Sequence, residues 1–225
     1  MSIKQRRRGM IISVHNHKGG LGKTTISAHL AFRANEYGIN TLAVTLDRQG
    51  DYLRWFSDGN PDLVAKTPVQ YGQITGLYSP EKMPPRDITR AFQLTIIDTP
   101  PQAYIVDIVK PDLWTVPVDN RTGIENLATI IPLMAKKAPN YVVFYGSDEG
   151  GEANLRGLQE ATRTIPRLEF HPEVIPRHGA IFRAQSYYLP VWRTPRGKDT
   201  KGHVAMECLC DAILVKAGLI APRER

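Results

Sequence analysis

Short runs of apolar and β-branched residues alternate along this chain with longer stretches in which apolar positions recur every three or four residues. The short runs suit strands buried on both faces, and the longer repeats suit helices with one apolar side. Strands are therefore predicted at residues 10–14, 41–46, 94–97, 113–118, 141–145 and 173–175, and helices at 23–37, 123–135, 153–164 and 204–217. Gly38 follows the first helix, where a residue free to adopt positive φ closes the last turn. The alternation predicts an α/β fold, a mostly parallel sheet with helices on both faces. Residues 59–85 hold many Pro and Gly with weak periodicity, so an irregular segment near the functional site is expected there.

At 225 residues and 42% hydrophobic, the chain is long enough for one substantial core. We read residues 10–217 as a single domain, residues 1–9 as a basic extension and 218–225 as a tail. No run of about 18 apolar residues occurs and the first residues lack the apolar segment of a secretory signal, so a soluble cytoplasmic protein is expected. Cys208 and Cys210 flank a single leucine, a spacing that suits neither a disulfide nor a Cys-x-x-Cys site; they read as small apolar residues of the last helix.

Lys18-Gly19-Gly20-Leu21-Gly22-Lys23-Thr24-Thr25 falls between the first predicted strand and the first predicted helix. Glycines at such a turn let successive backbone N–H groups face one anion, and the helix that follows adds the positive end of its dipole. Lys23 then neutralises β/γ-phosphate charge and the Thr24 hydroxyl can ligate Mg²⁺. The ordinary P-loop pattern wants glycine five residues before Gly22, but His17 stands there and a lysine follows it. Asn16-His17-Lys18-Gly19-Gly20 instead resembles the Asn-Gln-Lys-Gly-Gly of the deviant Walker A ATPases, the ParA/MinD group.

Ligands of open α/β sheets sit beyond the carboxyl ends of the strands, so acids at those ends are candidate site residues. Ile96-Ile97-Asp98-Thr99-Pro100-Pro101 ends an apolar strand in an aspartate and resembles the group's Walker B and switch II; Asp98 would hold a water of the Mg²⁺ shell or accept a bond from Thr24. Thr45-Leu46-Asp47-Arg48-Gln49-Gly50 resembles switch I. The resemblance implies that Asp47 orients or activates the attacking water near the metal, with closing a turn as the alternative role. Thr45 stands where the first acid of that motif belongs, and Arg48 replaces a proline. The resemblance further implies that Lys18 reaches the nucleotide of an opposing subunit, making ATP part of a homodimer interface. Pro176 matches a proline that packs on the adenine ring, a turn proline being the other reading, while Tyr145-Gly146 replaces the asparagine that relatives carry before it.

Net charge is +7 with pI near 9.5, which suggests an anionic macromolecule as partner. Arg177, Arg183, Arg193, Arg196, Lys198 and Lys201 face one acid, Asp199, between residues 176 and 203, and Arg177 could serve the nucleotide instead. The resemblance places a non-specific DNA-binding surface in this C-terminal third. It implies a short, nucleoid-associated partition ATPase using ATP and Mg²⁺, slow and stimulated by a ParB-like adaptor. Positioning of a protein cargo on the nucleoid is an alternative. A MinD-like membrane-associated ATPase is the weaker one, because Ala221-Pro222-Arg223-Glu224-Arg225 is too polar for an amphipathic anchor. No membrane partner is therefore expected.

Overall fold

A branched apolar run with one serine makes β1 (Met10–Val14), which is hydrogen-bonded along both edges and forms the centre of the sheet. The computed structural model describes residues 8–60, 67–119, 130–146 and 151–222. After β1 come α1 (Lys23–Glu36), β2 (Thr41–Thr45), the one-turn α2 (Asp51–Arg54), β3 (Val69–Tyr71), β4 (Ile74–Tyr78), α3 (Arg86–Ala91), β5 (Leu94–Asp98), the short α4 (Ile105–Ile108), β6 (Leu113–Val118), β7 (Asn140–Gly146) and α5 (Gly151–Thr162). The chain continues through β8 (Leu168–Phe170), β9 (Ile175–Pro176), α6 (Gly179–Tyr187), a 3₁₀ turn at Val191–Arg193 and α7 (Lys201–Lys216). Residues 130–135 are helical as well.

The strands run in the order β3-β4-β2-β5-β1-β6-β7-β8, with β9 continuing beside β7 past β8. Every pairing is parallel except the β3–β4 hairpin. Alternation along the strands divides the core in two, as a sheet covered on both sides requires. Ile12, Val14, Ala43, Ile96 and Val143 pack beneath α1, α2, α6 and α7, whereas Ile11, Val44, Ile97, Trp114 and Val142 pack beneath α4, α5 and the helical residues after 129. Full burial of each Ile or Val side chain among them contributes about 1.5–3 kcal/mol.

Helix α1 is buried along most of its length, and its Ala-rich sequence lets α7 approach closely. It ends where expected: Gly38 adopts φ +68, and the N–H groups of Gly38 and Ile39 return to the carbonyls of Asn35 and Ala34. The predicted strands at 10–14 and 113–118 coincide with β1 and β6, and those at 41–46, 94–97 and 141–145 match β2, β5 and β7 to within a residue at either end. Predicted strand 173–175 reduces to the two-residue β9, and predicted helices 153–164 and 204–217 begin two and three residues earlier, as α5 and α7. Of the helix predicted at 123–135, residues 123–129 lie outside the described residues.

The irregular segment expected at 59–85 is a correction. Although residues 61–66 are outside the described residues, 69–78 form a hairpin whose second strand pairs in parallel with β2. Gly72 supplies positive φ at the two-residue turn. Gly76 sits inside β4 because a Cβ there would come within 3.0 Å of the Leu53 side chain, so the glycine marks close cover by α2 and not a break.

Candidate functional site

The phosphate cradle is the turn between β1 and α1. Gly20 and Gly22 both take φ +75, a conformation that glycine adopts without cost. Asn16, itself buried, ties the start of the turn to the next strand: its Nδ2 donates to the Pro117 carbonyl at 2.8 Å while its Oδ1 accepts the Lys18 N–H at 3.0 Å. Gly19 and Gly20 face open space, whereas Leu21 turns into the core. Lys23, buried at the head of α1, donates from Nζ to the Lys18 carbonyl at 2.8 Å. Burial pulls the Lys23 ammonium below its ordinary pKa, and the nearby carboxylates of Asp98 and Asp47 oppose that pull.

Asp98 ends β5 beside Val14 of β1 and Thr45 of β2. The Thr24 hydroxyl donates to its Oδ2 at 2.9 Å, and the Ser27 hydroxyl donates to its Oδ1 at 3.2 Å. Burial raises its pKa to about 7, against the lowering effect of the Thr24 bond and of Lys23. Thr99 next to it donates to the Val14 carbonyl, and His15 Nδ1 lies 2.8 Å from the same hydroxyl oxygen. Since the Thr99 hydrogen is committed to Val14, His15 Nδ1 is the donor in that pair.

Asp47 is half-buried, and its Oδ1 accepts the Gln49 N–H at 3.0 Å while its own N–H reaches the Thr45 hydroxyl at 3.3 Å. In this state the carboxylate closes a turn, the alternative role named for it, yet it also lines the cavity and lies close enough to influence Lys23. Arg48, where a proline was expected, pairs with Glu81 at 2.8 Å, and Tyr78 donates its hydroxyl to the Arg48 carbonyl at 2.8 Å. The end of β4 therefore holds this loop.

Lys23, Thr24 and Asp47 border a cavity of about 580 Å³, together with Gly19, Gly20, Gly22 and Thr25 of the cradle. Thr99, Pro101, Gln102, Tyr145, Ile181, Phe182 and Gln185 line it elsewhere. Sequence reasoning passed over Tyr145 as a site residue, although its place at the end of β7 is the signal that could have found it. The α6 residues gave no signal. Pro176 is buried in β9 opposite Gly146, and it is not among the residues that border this cavity.

Lys18 Nζ lies 3.7 Å from Asp119 Oδ2, and Arg177 binds the same oxygen at 3.2 Å. Arg177 is thereby set on the same side of the molecule as the start of the cradle. The other basic candidates, Arg183, Arg193, Arg196, Lys198 and Lys201, are all exposed, and Arg193 is in addition engaged by Glu36 at 2.8 Å. Cys210 is buried and Cys208 exposed, both on α7.

The donor set fits a nucleoside triphosphate with Mg²⁺. A glycine cradle and Lys23 match phosphate charge, and one hydroxyl plus one or two carboxylates are what Mg²⁺ takes from protein when phosphates supply the rest. No group of three or more His, Cys, Asp or Glu suited to hold a metal occurs among the described residues, so an all-protein metal site is not indicated there. Nor is any helix among them long and apolar enough to cross a membrane.

A family model for the CobQ/CobB/MinD/ParA nucleotide binding domain matches residues 12–191. A Rhizobium rhizogenes protein named as a candidate replication protein A is 39% identical over 75 residues, 32% of this chain and 19% of its own length. The chain spans 15% and 19% of the length of the two curated relatives it matches. The septum site-determining protein MinD of Pyrococcus horikoshii, complexed with Mg-ADP, superposes with a TM-score of 0.68 at 16% identity, covering 94% of this chain and 98% of that one. A plasmid partition protein of Borrelia burgdorferi superposes with a TM-score of 0.63 at 14% identity, covering 93% and 100%. At such identities these likenesses concern the fold.

Proposed function

The chain belongs to the CobQ/CobB/MinD/ParA nucleotide-binding family, and on that premise we propose that it is a ParA-type partition ATPase. ATP with Mg²⁺ closes a homodimer, the dimer binds DNA without sequence preference, and hydrolysis stimulated by a ParB-like adaptor releases it. The observation that carries this reading is the convergence of Lys23, Thr24 and Asp47 on one cavity, with Asp98 bonded to Thr24 directly behind it and an exposed basic segment following α6.

In this proposal the Gly19–Gly22 backbone and Lys23 hold the phosphates, Thr24 and Asp98 hold the metal, and Asp47 orients the attacking water once it leaves its turn. Mg²⁺ supplies charge neutralisation between the phosphate oxygens. Lys18 crosses to the partner's nucleotide. Arg183, Arg196, Lys198 and Lys201 contact DNA phosphates, which give affinity without sequence reading. The complex acts from the nucleoid in the cytoplasm.

Two measurements test this. Gel shifts on random-sequence duplex should show tighter binding with ATP and Mg²⁺ than with ADP; equal binding would overturn the DNA reading. Light scattering with a non-hydrolysable ATP analogue should show dimers for the wild type and monomers for Lys18→Ala; dimers in both would overturn the trans contact.

A further inference from the structure

Lys18 is held at three points. Its N–H is accepted by Asn16 Oδ1, its carbonyl accepts from Lys23 Nζ, and its own Nζ lies 3.7 Å from Asp119 Oδ2. Asp119, just past β6, has a side chain only 6% exposed, so ionising it there demands cationic company. Arg177, from the residue after β9, binds the same oxygen at 3.2 Å.

We infer that Asp119 is a positioning residue that keeps Lys18 within its own subunit until nucleotide binds. This rests on the dimer reading above, in which Lys18 must swing across to a second copy. The chain of contacts supplies the trigger. A phosphate in the cradle competes for Lys23 Nζ, and a Lys23 turned toward phosphate gives up the Lys18 carbonyl. One of the three ties on Lys18 is then gone. Departure of the Lys18 ammonium leaves Asp119 still paired with Arg177, so release does not strand a buried carboxylate. Arg177 thus serves as the counter-ion that makes the exchange affordable in free energy.

The sign of this proposal separates it from a structural role. Removing the acid frees Lys18, whereas removing Arg177 leaves Lys18 as the more needed partner and tightens its hold. The half-exposed Lys18 is screened, so the effect is modest. In sedimentation velocity on the full chain with Mg²⁺ and a non-hydrolysable ATP analogue, Asp119→Asn should reach half-dimerisation at about fivefold lower analogue concentration than wild type. Arg177→Gln should need more analogue, and Asp119→Asn combined with Lys18→Ala should lose the gain. If wild type dimerises but Asp119→Asn needs the same or more analogue, the latch is wrong and the dimer reading stands. If wild type stays monomeric, the dimer reading fails and takes the latch with it. Thermal midpoints identify any unfolded variant, in which case Arg177→Gln decides by direction: a requirement unchanged or lowered overturns the proposal.

Discussion

The Thr24 hydroxyl donates to Asp98 at 2.9 Å, joining the first turn of α1 to the end of β5 across a sequence separation of 74 residues. Two groups suited to one cation are thus already in contact with each other. Burial raises the Asp98 pKa to about 7, so the folded chain keeps a proton between about 4 and 7 that the unfolded chain gives up. The contribution of Asp98 to stability therefore falls as pH rises through that window. With chelator present, Asp98→Asn should gain thermal midpoint over wild type between pH 5 and pH 8, by about 2–5 °C or more. A difference that stays flat with pH would show that Asp98 does not titrate there. The same variant should lose Mg²⁺-dependent hydrolysis.

Three buried histidines pull the other way. Burial lowers His15 to about 3, with the charges of His17 and Lys23 adding to it, and lowers His29 and His171 to about 4. Val191 donates its N–H to His29 Nε2 at 3.0 Å, so Nε2 carries no proton and Nδ1 donates to the Thr25 carbonyl. Unfolded histidines protonate near 6.5, which means stability is lost as pH falls below that value, by about 1.4 kcal/mol per pH unit for each histidine. Urea midpoints should therefore drop steeply from pH 7 to pH 5, with Asp98 offsetting part of the loss. A profile without slope in that range would mean these rings are solvated and charged.

Much of the architecture was legible in the sequence, because the central strands are apolar on both faces and their runs are unmistakable. The β3–β4 hairpin was not: Gly72, Gly76 and flanking prolines read as breaks, yet Gly76 is there for lack of room under Leu53. Lys23, Thr24 and Asp98 were legible because local motifs fix them, and they meet as the motifs imply. Tyr145 did carry a signal in its place at the end of β7, whereas Phe182 and Gln185 did not, since what brings them to the cavity is the approach of α6 to the cradle, a long-range relation with no local pattern. The pairing of Asp119 with both Lys18 and Arg177 was hidden for the same reason.

Pairing ranks the basic residues. Arg193 is tied to Glu36 by Nε and Nη2, beside the Trp192 indole that donates to the same oxygen. Alanine at Arg196, Lys198 or Lys201 should each weaken binding to random duplex and reduce the slope of log affinity against log salt by about 1. Arg193→Ala should change that slope less and lower stability instead. Equal slopes for all four variants would show that pairing with Glu36 does not remove Arg193 from the DNA contacts.

Gly22 sits at φ +75 immediately before α1, and a Cβ there would lie 3.6 Å from the Tyr145 ring, an ordinary contact. Space is available, but the backbone conformation is wrong for alanine. Gly22→Ala should cost about 1–2 kcal/mol in urea unfolding and weaken ATP binding far more than Tyr145→Phe, which leaves the ring in place. Equilibrium titration with a fluorescent ATP analogue distinguishes the two, and equal losses would count against the backbone explanation.

Helix α1 starts in the cradle at Lys23 and ends in a charge cluster where Arg33 binds Asp211 and Glu207 of α7, with Glu36 gripping Arg193. Fourteen residues of α-helix make a rod about 21 Å long. Midway along it His29 is wedged between the Trp55 and Trp192 rings, each centroid 5.4 Å away. A rod so placed joins the phosphate cradle to the α7 face of the molecule: by geometry alone, a tilt of a few degrees about its cradle end would carry the far tip, and the arginine clasped to it, through roughly an ångström.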